Sequence, residues 1–372
     1  MNTLFSTSSH AKRSKQIWLN PSNRYATHNT RNLLYHLQKI GKSASVILGH
    51  QSTNTLTRSG FLTIADSDIK RVCGQFPGMV SYDLGWMELN NGKVWLDGTV
   101  DRLIAAIKYC RKLGLPVCLS WHTRNPIDVA HDQKNRTAAG KVKDFGNTVE
   151  QVLTDARVKN VYLSWLDVLA DFFGQLVDET GHDIPVLFRP FHECSGHWFW
   201  WGSKQCSSEE YIRLYRLTHD YLTKEKGVDN VLWVYNTDKV YKVSDFKERY
   251  PGNQYIDLLS MDFYDSPKFS PTDFQQALSK SLHVLTSSAK ELDKGCFIAE
   301  CGRKNYQEQL YFTTRAAQYF AEDLIACSFW ANTPKNYYMS FPSDPNKEDF
   351  LALIDNALIL MEKDVRMLNI FS

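Results

Sequence analysis

Residues 185–202 read PVLFRPFHECSGHWFWWG, and the rest of the chain repeats the plan of this stretch. It opens with an apolar run at 186–188, which has the length of a buried strand. The run is followed by Arg189, His192 and Glu193, and then by four consecutive aromatic residues at 198–201. Packing alone does not require a carboxylate beside so dense an aromatic surface. The stretch therefore predicts a functional site at the end of a strand.

Seven other apolar runs of similar length occur along the chain, and most are separated by segments with the residue spacing of a helix. The eight predicted strands span residues 45–49, 79–83, 117–120, 186–188, 231–235, 256–261, 296–299 and 325–329. Such alternation is typical of parallel strands joined by crossover helices. With no linker-like stretch between the units, it predicts an α/β fold, a (β/α)8 TIM barrel that forms a single domain over residues 26–372. Residues 1–25 are polar and are predicted to form an irregular N-terminal arm.

Polar or aromatic residues follow most of the predicted strands. In chain order they are His50, Asp83, His122, His192, Glu193, Tyr264, Glu300 and Trp330. Sites in such barrels lie at the carboxyl-terminal ends of the strands, which closure of the barrel brings to one mouth. We therefore expect these side chains to form one site. His50, His122 and Asp83 could equally contact a ligand or hold neighbouring side chains in place through hydrogen bonds.

Glu193 and Glu300 are a candidate catalytic pair. Hydrolysis of a glycosidic bond needs one carboxyl group that stays protonated to donate to the leaving oxygen, and a second, ionised one that attacks the anomeric carbon or activates water. A separation of roughly 5–5.5 Å would indicate retention of configuration through a covalent intermediate. Arg189 and Tyr264 are suited to donate hydrogen bonds to one carboxylate and keep it ionised, which separates the two pKa values.

The aromatic residues suit the same chemistry, because their flat apolar faces stack on pyranose rings. They make up 13% of the chain, which has ten tryptophans. We expect Trp198, Trp330 and one of Trp200 and Trp201 to form sugar platforms. The alternative is that the aromatic residues belong to a large core and that Glu193 is a capped surface carboxylate.

A zinc protease motif is a competing interpretation of the same stretch, because His192 and His197 flank Glu193. These histidines are five residues apart, whereas the motif needs four on a helix that brings its ligands to one face. Pro190 and Gly196 disfavour a helix at this position. We therefore expect no metal and no cofactor.

The composition is that of a globular protein with a large core, and it does not favour a nucleic-acid-binding or membrane protein. Of the 372 residues 43% are hydrophobic, enough for a large core, and the net charge of +2 does not favour nucleic acid or an anionic membrane surface as a partner. No apolar run reaches the length needed to span a bilayer. The eight cysteines include no CxxC pair and leave the number of disulfides open. We expect a monomer.

The segment RPFHECSGHWFWWG at 189–202 resembles the acid/base signature of glycoside hydrolase family 26, a retaining family dominated by endo-β-1,4-mannanases. Shorter matches extend the resemblance over most of the chain. They lie at residues 49–51, 121–122, 125–126, 250–252, 264, 299–302 and 330–332. The long segment is highly specific, and the short ones are supportive.

The resemblance implies a role for each matching residue. Glu193 would be the general acid/base and Glu300 the nucleophile. His192 would lie near the hydroxyls of the sugar at subsite −1, on the glycone side of the scissile bond, and Tyr264 would contact the nucleophile. The two cleft tryptophans, Trp198 and Trp330, would flank that bond.

Two departures from the family pattern concern the neighbouring subsites. Cys194, Ser195 and His197 stand where members more often include Asn-Gly, on the leaving-group side. Ala331 stands where members often carry arginine, between Trp330 and Asn332, and this concerns contacts at subsite −2.

Together these features predict a retaining endo-β-1,4-mannanase acting on mannan, glucomannan or galactomannan. A β-glycanase of the same family acting on β-1,3-xylan or mixed-linkage β-glucan is the alternative enzyme. A non-catalytic carbohydrate-binding barrel is a third hypothesis, against which the presence of both glutamates counts.

The N-terminal residues contain no apolar segment of the kind found in signal peptides. Either the protein is intracellular, or the sequence starts on a mature secreted chain. Because polymeric mannan is met outside cells or in a digestive compartment, we expect secretion.

Overall fold

The computed structural model describes residues 20–130 and 147–372, so most of the predicted arm lies outside the described residues. Eight parallel strands form a closed barrel, because β1 pairs with both β2 and β8. The strands are β1 Val46–Gln51, β2 Met79–Asp83, β3 Val117–Trp121, β4 Val186–Pro190, β5 Val231–Asp238, β6 Leu258–Asp265, β7 Gly295–Arg303 and β8 Ala326–Phe329. Each overlaps one of the eight predicted strands, and the (β/α)8 fold is confirmed.

Helices surround the barrel and contribute to the connections at its two ends. The described α-helices are α1 His28–Ile40, α2 Asp68–Cys73, α3 Val100–Leu113, α4 Pro126–Ala130, α5 Thr148–Thr154, α6 Ala156–Gly174, α7 Ser208–Asp220, α8 Val243–Lys247, α9 Pro271–Leu292, α10 Tyr311–Thr314, α11 Lys347–Ile354 and α12 Glu362–Met367. Within the described ranges, no helix combines the length and the apolar character needed to cross a membrane.

Local sequence signals fix where several helices begin. Ser207 caps α7 in a capping box, in which its side chain accepts from the backbone of Glu210 and the Glu210 side chain accepts from the backbone of Ser207. Ser270 caps α9, and Pro271 occupies its first turn, where a missing N–H costs nothing. The apolar faces of these helices cover strands that are buried along nearly their whole length.

Strands β5, β6 and β7 extend furthest beyond the carboxyl-terminal ends predicted from their apolar runs. Asn236, Asp262, Tyr264 and Glu300 lie inside the strands rather than after them. Asp262 stands opposite Glu300 in the ladder, just after a register shift in the pairing of β6 with β7. Polar residues remain in these strands because, as described below, they bond to one another across the inside of the barrel.

The C-terminal segment after β8 is helical only in part. Helix α11 ends at Ile354, and Ile359–Leu360 forms a short strand parallel to the start of β1. The backbone N–H of Val46 donates a 2.8 Å hydrogen bond to the carbonyl of Leu358. This segment therefore pairs with the first residues of β1, which precede the residues that pair with β2.

Two small hairpins stand in the loops at the mouth. Leu56–Thr57 pairs with Gly60–Phe61 in the loop after β1, and Lys93–Val94 pairs with Gly98–Thr99 in the loop after β2. All eight cysteines lie in the described part of the chain and are free thiols, with 3.7 Å between the sulfurs of Cys301 and Cys327.

Candidate active site

A tight turn after β4 presents Glu193. Phe191 and Glu193 have positive φ angles of 53° and 52°, which non-glycine residues rarely adopt. The turn is held because the N–H of Glu193 donates a 2.6 Å hydrogen bond to the side-chain oxygen of Asn236 on β5, and the N–H of Gly196 donates one of 2.8 Å to the carbonyl of Glu193. Backbone strain of this kind persists where the surroundings enforce it, and it often marks a functional residue.

Three carboxyl groups meet at the centre of the mouth. One carboxyl oxygen from each of Glu193, Asp262 and Glu300 lies within 4.8 Å of the others. Burial raises the pKa of Glu193 well above its usual range, and the negative charges of Asp262 and Glu300 raise it further. Glu193 is therefore suited to carry a proton at neutral pH.

Arg189 is the cation that offsets these charges. It is buried on β4 and donates a hydrogen bond of 2.8 Å to Asp262 and another to Oε1 of Glu300. The hydroxyl of Tyr264 donates a 2.8 Å bond to the other oxygen, Oε2, of Glu300. Both oxygens of Glu300 thus accept a hydrogen bond from a neighbouring side chain, which fixes the orientation of this carboxylate.

Asn236 connects the turn that carries Glu193 to the carboxylate cluster. Its side-chain N–H group donates bonds of 2.9 Å to Asp262 and to Ser260, while its oxygen accepts from Glu193. Neither Asn236 nor Asp262 is among the candidate residues predicted from the sequence. In the sequence, each is a polar residue that directly follows an apolar run, in VYNTD for Asn236 and in SMDFYD for Asp262. This pattern predicts where the strand ends, but it does not predict a role in the site.

A second polar chain runs along one side of the cluster. Nδ1–H of His122 donates a 2.6 Å bond to Asp83, which also accepts from Ser120 at 2.6 Å and from the N–H of Gly85 at 2.7 Å. Burial alone would raise the pKa of Asp83, but the attraction of His122 and these hydrogen bonds outweigh it, and the pKa is lowered. Asp83 is therefore an anion that orients His122.

His192 continues this chain. Its Nε2 lies 3.1 Å from Nε2 of His122, so one ring donates to the other. Burial lowers the pKa of His192 well below its usual range, and His122 and Arg189 add to the effect. His192 is therefore neutral at the pH values at which a free histidine begins to protonate.

Aromatic side chains form the walls of the mouth. The indole N–H of Trp198 donates a 2.6 Å bond to Oε2 of Glu193. On the other side Trp95, from the second mouth hairpin, has its ring centroid 4.8 Å from that of His122 and 6.5 Å from that of Trp330. Sequence reasoning missed Trp95, because it follows no predicted strand.

Trp200 and Trp201 do not form sugar platforms, contrary to the expectation for one of them. Both are fully buried. Their indole N–H groups donate to backbone carbonyls, of Arg124 at 3.1 Å and of His192 at 2.9 Å. They pack in the core beneath the mouth because the aromatic segment turns inward after Trp198.

The remaining candidates, His50 and Asn332, are buried side chains. His50 is buried in β1, and burial lowers its pKa to about 3. Asn332 is also buried, and its amide donates 3.1 Å bonds to Asp68 and to the carbonyl of Met339 while its oxygen accepts from two backbone N–H groups. Ala331, which stands at the position of the family's arginine, is fully buried as well.

A closed (β/α)8 barrel whose mouth holds two glutamates in different electrostatic surroundings, flanked by indoles that are at least partly exposed, has the features of a glycoside hydrolase. The model of Glycosyl hydrolase family 26 matches residues 22–328. The chain belongs to this family.

Curated relatives and solved structures agree with this assignment. The chain is 27% identical to a mannan endo-1,4-beta-mannosidase of Bifidobacterium adolescentis over 93% of its own length, although it spans only 36% of that relative. It is also 27% identical to a mannan endo-1,4-beta-mannosidase of Bacillus subtilis, covering 80% of this chain and 81% of the relative. A GH26 beta-mannanase structure from Bacteroides ovatus superimposes with a TM-score of 0.83 at 31% identity, covering 91% of this chain and 96% of that one.

Proposed function

We propose that this protein is a retaining endo-β-1,4-mannanase that hydrolyses internal β-1,4-mannosidic bonds of mannan, glucomannan or galactomannan. The observation that carries the proposal is the approach of the Glu193 and Glu300 carboxyl oxygens to within 4.8 Å. Retaining enzymes place the two carboxyl groups roughly 5–5.5 Å apart, whereas inverting enzymes leave roughly 6.5–9.5 Å for a water molecule.

In the first step Glu300 attacks the anomeric carbon of the sugar at subsite −1, and Glu193 donates its proton to the glycosidic oxygen. Donors to both oxygens of Glu300, from Arg189 and Tyr264, hold it as the anion that attack requires. Burial and the neighbouring anions keep Glu193 protonated until the leaving oxygen accepts the proton. The bond to the leaving sugar breaks as the ester bond to Glu300 forms.

In the second step Glu193, now ionised, takes a proton from a water molecule, and the resulting nucleophile attacks the anomeric carbon from the face that the leaving group vacated. Glu300 departs as the carboxylate, and Arg189 and Tyr264 stabilise the charge that it regains. Two inversions at the same carbon give net retention.

The histidine pair and the indoles would position the sugar. His192 and His122 are linked at 3.1 Å beside the cluster, where they can exchange hydrogen bonds with the hydroxyls of the −1 sugar. Trp198 lies beside the acid Glu193 and would contact the leaving sugar, whereas Trp330 and Trp95 lie on the side of His122. Their faces would stack on the pyranose rings of the bound chain.

The choice of β-mannan as the substrate rests on the relatives, two of which are mannan endo-1,4-beta-mannosidases. We further propose that the protein acts as a monomer without a cofactor, and outside the cell, because a polymeric glycan does not enter cells intact.

The test is the release of reducing sugar from mannan, glucomannan, β-1,3-xylan and mixed-linkage glucan, with sizing of the products. Short oligomers from mannan or glucomannan are expected, and cleavage of xylan or mixed-linkage glucan alone would overturn the substrate. Binding without cleavage of any polymer would overturn the enzyme. Proton NMR of the first products should show the β-anomer, and the α-anomer would overturn retention.

A further inference from the structure

We propose that Phe61, together with Trp95, forms a distal subsite that binds a further mannosyl unit of the polymer, beyond the sugars at the scissile bond. This inference rests on the proposed function, because its occupant is the continuing β-mannan chain. It adds Phe61, on a hairpin that the mechanism above does not use, to the Trp95 ring on the neighbouring hairpin.

Phe61 is an exposed aromatic residue on the barrel face that carries the active site. Its side chain is 61% exposed, although it ends the Leu56–Phe61 hairpin, and this hairpin stands in the loop after β1. A single exposed phenylalanine would not indicate a binding site, because isolated apolar side chains are common on protein surfaces. Here, however, Trp95 is 39% exposed and Trp86 43% exposed in the adjoining loop after β2.

The two hairpins are held against each other. A Cβ at Gly98 would lie 3.4 Å from the Phe61 ring, so the ring lies over the backbone of the hairpin that carries Trp95. The hydroxyl of Thr55, just before the first hairpin, donates to the buried Asp97 in the second. Arg102 stacks its guanidinium 5.4 Å from the centroid of Phe61 and donates a 3.0 Å bond to the carbonyl of Thr55.

The same surface is continuous with the catalytic cleft. The N–H of Trp95 donates a 2.8 Å bond to the carbonyl of Gly85, whose own N–H is bonded to the catalytic support Asp83. On the far side Arg58, in the turn of the first hairpin, donates bonds of 2.7 and 3.0 Å to the carbonyls of Thr333 and Pro334, in the loop that follows Trp330. The first hairpin therefore connects the loops that carry Trp330 and Trp95.

This arrangement suits a polysaccharide. A rigid apolar platform binds a sugar face without paying for the ordering of a flexible loop. The occupant is the substrate because the platform continues the aromatic wall of the cleft, and a polymer that is cleaved internally must run past the sugars at the scissile bond in both directions.

The experiment compares kcat/KM on mannohexaose and on mannotriose for the wild type and for Phe61→Ala and Phe61→Tyr. Tyr25→Ala is the matched control. Tyr25 is 55% exposed with Arg24 over its ring at 4.6 Å, but its neighbours Asn23 and Thr27 bond to residues 228–229 before β5, at the opposite end of the barrel.

For Phe61→Ala we expect the hexaose-to-triose ratio of kcat/KM to fall by roughly three- to tenfold through KM, since a lost aromatic contact of about 1 kcal/mol changes affinity by that amount. Phe61→Tyr should keep the wild-type ratio, and so should Tyr25→Ala. An unchanged ratio in a folded, active Phe61→Ala would overturn the distal subsite while the mannanase stands, and so would equal losses on both substrates. A wild type that cleaves neither oligomer would instead reject the proposed function.

Discussion

Arg189 on β4 donates a 2.8 Å hydrogen bond to Asp262 on β6, so the two charges meet in the barrel interior beneath the candidate nucleophile. The same guanidinium bonds to Glu300 on β7. The buried guanidinium of Arg189 thus pairs with two buried carboxylates on different strands. The arrangement separates the properties of the two glutamates at the mouth: Glu300 has two donors, and Glu193, outside this ion pair, keeps a raised pKa.

Removal of Asp262 should destabilise the protein. Asp262→Ala removes one of the two buried partners of Arg189 and one of the two acceptors of the Asn236 amide, and breaking a buried pair costs about 3–5 kcal/mol of unfolding free energy. Urea unfolding measures this. The control is Asp66→Ala, which removes a partly exposed partner of Arg71 at 2.8 Å and should cost less than about 1 kcal/mol. Equal costs for the two variants would show that the buried pair contributes no more than a surface pair.

Replacement of the nucleophile should stop turnover. Glu300→Ala is expected to lower kcat by roughly 10⁴-fold or more. Azide should restore activity on activated aryl mannosides by entering the space of the lost carboxylate, and it should give the α-mannosyl azide. NMR of the product identifies the anomer, and a β-azide would contradict the assigned role.

Replacement of the acid should depend on the leaving group. Glu193→Ala should reduce kcat/KM by roughly 10²–10⁴-fold on mannan, whose leaving sugar needs a proton. Aryl mannosides with acidic phenols should lose much less, because their leaving groups depart as anions. A parallel assay on both substrates is the measurement, and equal losses would remove Glu193 from the acid role.

The hydrogen bond from Trp198 should set one limb of the pH profile. It stabilises the ionised form of Glu193 and so lowers a pKa that burial raises. Trp198→Phe should raise that pKa, so the fall of kcat/KM at alkaline pH should move to higher pH. Trp330→Phe keeps an aromatic ring and touches no catalytic proton, and it should leave the limb in place. A shift to lower pH in Trp198→Phe would contradict the sign of the effect.

Asp83 should contribute stability that depends on pH. Its pKa is lowered in the folded protein, so its contribution is present above the ordinary aspartate pKa of about 3.9 and is lost as pH falls through the folded value. Asp83→Asn should therefore be less stable than the wild type at pH 7, and the difference should shrink at about pH 3. Urea midpoints at both pH values test this. A constant difference would mean that the charge on Asp83 is not the cause.

The strand-end glutamates could be predicted from the sequence because they follow apolar runs in a fold whose strand ends converge. Asp262 and Asn236 could not be selected in the same way, since each lies among other polar residues and only the pairing of β4 to β7 gives them partners. Trp95 was not predicted as a site residue because it belongs to a hairpin in a loop, and such loops show no periodic pattern of apolar residues. Trp200 and Trp201 were misjudged because composition alone does not show which indoles face inward.

The sequence alone determined the alternation of strands and helices, and with it the barrel and the mouth at which Glu193 and Glu300 meet. Those features depend on local periodicity and on short-range signals such as the cap at Ser207. The tertiary structure decided that the pKa of Glu193 is raised, because that depends on burial and on charges brought from distant strands. It also decided which aromatic residues remain exposed to a sugar, because burial is a property of the packed barrel and not of the segment.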